Sequence, residues 1–483
     1  MTCLRGRLTL LIAIAVLLPG WVLLLLSERE RTARYSDQSL PIARPEGGRP
    51  AALESSPADR GPEGHFDNRP TVARVLPTLS VGASGADLLG SDDRAIQAGV
   101  DLLAGMGGGR LELRPGVFTI RNAISLRDKV DIAGSGERTI LRKGPGVDVP
   151  LTQSADWFET AVVVERAGAF SPGDGIMIES RKPGTTGLGG LVVSQSTVTA
   201  VDGNIVYLNN RLEKDHRLHH FPRASNRFAL LKGMNVENIR IENLVLDGSR
   251  EENGFVDGNL AGAVYLKYCA DITFTNVVAQ NYNGDGFSAQ VCANIRFEQC
   301  TANNNAMFGF HPGSGSPGAV LAGCRAEGNT EGIYFCWGVT GARVVDSHFS
   351  RNRDYGISIG YRDSGNRIEN CVFEENGQVG VLFRKAEENF AGGNQNVIAG
   401  STFRDNGPPS GGAGIAVEAR NHALIFEGNT FVDSGAGRQT TGIWVHPEVQ
   451  DLTLRDNRFE NTKNDIDSRL TLRERAKELL GRP

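Results

Sequence analysis

Only 7% of the 483 residues are aromatic, seven are cysteine, and 51 Lys and Arg nearly balance 56 Asp and Glu for a net charge of -5. Without a basic excess or a clustered run of one sign, the chain lacks the electrostatic footprint of a nucleic-acid binder. That absence bears less on a polyanionic sugar, because a local basic patch fits inside a mild total. Scarce aromatics beside 60 glycines suit short strands joined by many tight turns. No EF-hand spacing occurs, so the chain has no motif that builds a Ca²⁺ loop by itself.

What the chain does have is glycine at a near-constant interval. Gly262, Gly286, Gly309, Gly332, Gly356 and Gly380 are 24, 23, 23, 24 and 24 residues apart, and Gly414 and Gly442 follow at 34 and 28. Each opens a short apolar segment: AVYL, FSAQ, FHPG, IYFC, ISIG, VLFR, IAVE and IWVH. A fixed period with strand-length text in every unit is the signature of a solenoid. The first and third residues after the glycine are apolar and are predicted to face inward, and the second and fourth outward. By this count Val264 and Leu266 stand on the outer face of the first unit. Asn305, Asn329, Asn352 and Asn376 share a turn phase, where an amide can bond to its copy in the next coil. About 23 residues per coil leave room for three short strands and three turns. A parallel β-helix is therefore expected, rather than a leucine-rich or helical repeat. Cys269 and Cys292, like Cys300 and Cys324, share a phase in neighbouring coils. Stacked rungs separate such residues by about 4.8 Å, more than the roughly 3.8 Å between disulfide Cβ atoms, so buried free thiols are expected.

The rest of the chain divides by composition. Residues 1–35 read as a membrane anchor or signal: Arg5 and Arg7 precede an apolar run from Leu8 to Leu26, and SERERTAR follows. Nineteen residues rise roughly 28 Å, close to a bilayer core, and no small-residue cleavage site is evident. Basic residues before the run favour an exported body, facing the periplasm or exterior, or secreted if the segment is cleaved. Residues 36–71 form a proline-rich stalk. Residues 72–147 begin the β-helix with a capping helix at Ser91–Ala104, 148–230 lose the period and read as a β insertion, and 231–463 are the main coils. Residues 464–483 end in a closing helix, SRLTLRERAKELL.

The segment SDDRAIQAGVDLLAGMGGGRLELRPGVFTI is similar to the opening segment of the pectate-lyase and polygalacturonase superfamily of right-handed parallel β-helices. The resemblance implies an all-β solenoid and a carbohydrate substrate, through lyases, hydrolases, uronate epimerases or phage tailspikes. It does not choose among them. Asn283-Gly284-Asp285-Gly286 resembles the polygalacturonase Asn-Thr-Asp-Gly. However, Met307 and Phe308 stand where an Asp-Asp pair belongs, and Tyr355 replaces a histidine, so that mechanism does not transfer.

The outer column from Gly286 to Lys385 is rich in chemistry. Asp285 and Glu331, two coils apart, are the candidate acid and base of glycosidic hydrolysis, with Asp354 and Asp363 as alternatives. His311 is the candidate proton carrier of a second reading, uronate elimination or epimerisation, in which arginines neutralise the carboxylate. Gln290, Tyr334, Trp337, Tyr361, Arg362, Arg384 and Lys385 are candidate substrate contacts, Trp337 and Tyr361 as stacking platforms. A third reading is a non-catalytic glycan-binding wall. Asp247, Glu251, Glu252 and Asp257 form an oxygen-rich loop of a kind that can hold Ca²⁺, and DHRLHH carries His216, His219 and His220. No metal site is assigned to either. The expected partners are a polysaccharide and, through the N-terminal segment, a membrane.

Overall fold

The computed structural model describes residues 76–386 and 391–468. Two units are distinguished: of one, only the turn segment 184–191 is described, and the other, residues 76–183 and 192–468, is the body considered below. The expected anchor and stalk lie outside the described residues, and so does the closing helix beyond Ser468. Among the described residues no helix is long and apolar enough to cross a membrane.

The helix Asp93–Gly105 sits near the start of the body. Asp92 caps it, its carboxylate accepting from the Ala95 N–H at 3.1 Å. Ile96, Val100 and Leu103, spaced along one helical face, are fully buried in the main core with Val81 and Leu111. The helix thus covers strand ends that would otherwise be left open.

The coils follow as expected, three short strands to a turn. One face is built from Gly262–Lys267, Asp285–Gln290, Phe308–Gly313, Glu331–Tyr334, Tyr355–Ile359, Val379–Phe383, Ala413–Val417 and Thr441–Val445. Each pairs in parallel with the strand one coil on, within an eleven-stranded sheet. The other two strands of each coil, such as Arg296–Glu298 and Thr301–Asn303, pair one coil on in the same way. The chain is a parallel β-helix.

The register corrects the phase of the first glycine. Gly262 lies opposite Asp285 and Val264 opposite Phe287, so the residue matching Gly286 is Ala263. Val264 and Leu266, expected outside, are therefore core residues, and Tyr265 and Lys267 take the outer positions. At Gly286 a Cβ would meet the carbonyl oxygen of Gly309 at 2.7 Å, and at Gly309 it would meet that of Gly332 at 2.7 Å. No side chain fits between coils there, and the in-out alternation slips by one residue at each such glycine. The residue before it and the second after it share the outer face.

Inside, like side chains stack on like. Phe349, Phe373, Phe403, Phe431 and Phe459 form a column with ring centroids 4.8 to 5.3 Å apart. Beside it runs a buried amide ladder: Asn305 donates to Asn329, Asn329 to Asn352, Asn352 to Asn376 and Asn376 to Asn406, at 2.9 to 3.2 Å. Each amide also donates to a backbone carbonyl, as Asn352 does to Ala326 at 3.1 Å. The six described cysteines are buried free thiols, with the Cys269 N–H donating to Cys292 Sγ at 3.4 Å.

Between the first coils and Leu231, antiparallel pairs form a six-stranded sheet, for instance Asp148–Pro150 with Arg223–Ser225. It has its own core around Val162, Ile178 and Val206. Its Gln195 accepts from Lys232 Nζ at 2.9 Å and donates to the Leu260 carbonyl at 3.0 Å, so this sheet reaches the outer face of the coils.

Removing one rung of the ladder orphans buried partners on both sides. Asn352→Ala is expected to lose about 3 kcal/mol of stability, from unpaired groups worth roughly 1–3 kcal/mol each. Urea unfolding checks this, and a loss below about 1 kcal/mol would remove the ladder as a source of stability.

Candidate functional site

The slip at each glycine sets up one recurring diagonal. The residue before a glycine meets the second residue after the next glycine, one coil further on. Asp285 meets His311, with Nδ1 and Oδ2 at 2.6 Å. Phe308 stacks on Tyr334, with ring centroids 4.3 Å apart. Glu331 accepts a short hydrogen bond from Ser358. These three contacts, on successive coils, build the centre of the site.

The Asp285–His311 pair is sealed. Asp285 is 0% and His311 1% exposed. Asp285 Oδ1 also accepts from the Phe308 N–H at 3.2 Å, and the backbone at Gly258 lies against its carboxylate. Ser288 Oγ donates to the Gly258 carbonyl at 2.7 Å and Tyr265 to the Asn259 carbonyl at 2.7 Å, fixing this loop over the outer face. Burial alone would depress the imidazole, but the facing Asp285 carboxylate outweighs it and pushes His311 up to about 10. His311 Nε2 is buried without an oxygen or nitrogen partner, and the Cys336 thiol acts on the ring. The imidazole packs edge-on to both Phe308 and Tyr334.

The second half of the site is organised by Arg384, whose side chain is 19% exposed. Its guanidinium lies 4.2 Å over the Tyr334 ring, donates to Ser358 Oγ at 2.6 Å, and stands 3.5 Å from Asp363. Gly360 leaves the space it fills, because a Cβ there would collide with the guanidinium. Glu331 is 1% exposed, and burial pushes its carboxyl up to about 8 against the opposing influence of Arg384 and Ser358. Burial likewise raises the Tyr334 phenol, with Arg384 pulling the other way. The phenol makes no hydrogen bond to the described residues.

The remaining expected residues divide. Asp363 is fully buried and accepts from the N–H groups of Gly338, Val339 and Gly360, so its carboxylate holds a turn together. Gln290 is 3% exposed beside Ser288, its Oε1 without a partner. Trp337 and Tyr361 are half-buried, 5.9 Å apart and edge-to-face, and Arg362 lies 4.8 Å over the Tyr361 ring. Lys385 is exposed and Asp354 half-buried, in the turn before Tyr355. The outer column was expected to be an open carbohydrate groove, but its centre is a buried network. His216 is fully buried between Ser180 and Ser194, burial pushing it down to about 4, so it is a structural residue. Among the described residues no group of three or more His, Cys, Asp or Glu could hold a metal ion.

Sequence reasoning missed Tyr265 and Lys267 on the outer face and Phe308 as a partner of Tyr334. The first two were lost by phasing on Gly262. The 23-residue spacing of Cys269 and Cys292, already visible, pointed to the correct register.

A family model described as right handed beta helix region matches residues 261–431 and 335–466. No curated protein matches the chain. Among solved structures, the A-module of mannuronan C-5 epimerase AlgE6 from Azotobacter vinelandii aligns over 78% of this chain and 92% of its own, at 15% identity and a TM-score of 0.51. The A-module of mannuronan C-5 epimerase AlgE4 from the same organism aligns over 80% and 98%, at 16% identity and a TM-score of 0.51. At such identities the likeness is one of fold: this chain is a right-handed parallel β-helix.

Glu331 sits above its ordinary carboxylate range in the folded chain, so folding takes up a proton between about pH 4.5 and 8. Stability is therefore expected to fall as pH rises through that window and to level off above it. Melting temperatures across pH 5–8 should fall less steeply in Glu331→Gln than in the wild type. Equal slopes would place the carboxyl at its ordinary value.

Proposed function

We propose that this chain acts on an acidic polysaccharide and moves the ring proton beside a uronate carboxylate, the step shared by β-elimination and epimerisation. The observation that carries the reading is Arg384, a half-buried cation stacked on Tyr334 and braced by Ser358 and Asp363. Facing a uronate carboxylate, Arg384 would stabilise the charge that builds up there as the neighbouring C–H bond gives up its proton. Tyr334, beside it, takes that proton as the phenolate, after its own proton has gone to solvent, and as the phenol it returns one. The Arg384 guanidinium over its ring offsets the burial that favours the neutral phenol. When the C4–O bond breaks as the proton leaves, the product is an unsaturated uronate with a shortened chain. When a proton returns to the opposite face of the carbon, the product is the C-5 epimer. His311, sealed behind Tyr334, is a positioning residue in this scheme.

Hydrolysis through Asp285 and Glu331 is the weaker reading. It needs two carboxyl groups reaching the bond, whereas Asp285 is occupied by His311 and Glu331 by Ser358, both out of contact with solvent. The likeness to two epimerase modules adds a fold-level analogy and no more. The reading includes export of the body, because the run Leu8–Leu26 behind Arg5 and Arg7 has the length and flanking charge of an anchor.

The full chain is to be incubated with uronate and neutral polysaccharides, following unsaturated-uronate absorbance, C-5 configuration by NMR, and reducing ends. Activity on the uronates is expected, with Tyr334→Phe and Arg384→Gln each losing about 10²-fold or more. Reducing ends without the other two signals would replace the proposal with hydrolysis. Binding without any product would reduce it to a glycan-binding wall.

A further inference from the structure

We infer that the same face carries a second anion subsite, centred on Lys267 with Lys232 and Tyr268, which holds another acidic sugar of the polymer bound at Arg384. The inference rests on the reading above and extends it from one sugar to a chain. Lys267 occupies the same column as Arg384, five coils away through Gln290 and the later strands. The backbone positions are five steps apart, but the guanidinium reaches back to Ser358 and the Phe335 carbonyl. About three to four steps of about 4.8 Å, roughly 14–19 Å, therefore separate the two charges, a span of several sugars.

Several observations on these coils point to a ligand. The Lys267 ammonium forms no ion pair with the described residues; its contact is the Tyr268 ring, 5.3 Å away. Lys232, on the adjoining coil, donates to Gln195 and has no ion pair either. The two lysines stand on neighbouring coils, and burial lowers Lys232, with Glu213 opposing it and Lys267 adding a smaller repulsion. A carboxylate between them would relieve that repulsion. Tyr268 is 53% exposed beside the Lys267 ammonium, an aromatic face open to a sugar ring.

Calorimetry on the full chain tests the subsite, with a long polyuronate, a uronate trisaccharide and a neutral polymer as probes. Lys267→Gln is expected to bind the long polyuronate roughly three- to tenfold more weakly, with a shallower salt dependence. The trisaccharide, held at Arg384, should bind it as tightly as the wild type, and Lys267→Arg should restore the long-chain affinity. Wild-type affinity of Lys267→Gln for the long polyuronate would overturn the subsite while leaving the reaction at Arg384 standing. Equal weakening toward the trisaccharide would overturn it as a separate subsite. A wild type that binds neither uronate, or binds the neutral polymer as well, would overturn the acidic-polymer reading and the subsite with it.

Discussion

Every part of this molecule depends on one constraint: each coil must hydrogen-bond to the next in an unbroken parallel register. A parallel strand has two hungry edges, and here each is satisfied by the coil before and the coil after. A slip of one residue would turn every core side chain outward. The asparagine ladder guards against it, because its buried amides find their partners only when the coils are aligned. Buried polar groups of this kind are tolerable because they are paired.

The same register fixes the spacing of chemistry. Outer residues repeat at about 4.8 Å, too rigid and too regular to converge on a point by themselves. The glycine slip supplies the convergence. It brings the residue before each glycine onto the outer face, where it leans across to the next coil. The result is three diagonals in series: an ion pair, an aromatic stack and a carboxyl–hydroxyl bond. Arg384 closes the series from a more distant coil, where Gly360 makes room for it.

Electrostatics explains why this cluster is unlike the rest of the surface. Exposed pairs such as Arg351 with Glu327 and Glu375 sit in water and contribute little to stability. The site instead keeps Asp285, His311, Glu331, Asp363 and Arg384 largely away from solvent. Burial raises Glu331, while the charge of Asp285 raises His311. Charges persist at such positions only when matched closely, and clusters of shifted groups are more common at functional sites than elsewhere. The loop at Gly258 covers the Asp285 end of the cluster.

The solenoid, its three strands per coil, its asparagine ladder, its free thiols and its capping helix were all legible in the sequence. Each is a periodic or local signal: a glycine interval, an apolar alternation, a cap before a helical face. Arg384, Tyr334, His311, Asp285 and Glu331 were also named in advance, since polar residues on an outer column are visible as such. Their relations were not. Simple alternation gives no hint that a glycine shifts the phase by one, so the diagonal between Asp285 and His311 could not be drawn. Nor could it show that Lys267 rather than Leu266 stands outside, because Gly262 mimics the phase marker while its neighbour Ala263 holds the position. The sequence by itself determined the repeat and therefore the fold, because backbone pairing needs only the period. The tertiary structure alone decided which carboxylates are covered, which cations stay unpaired and which groups meet, because those depend on register and on loops folding back from distant coils.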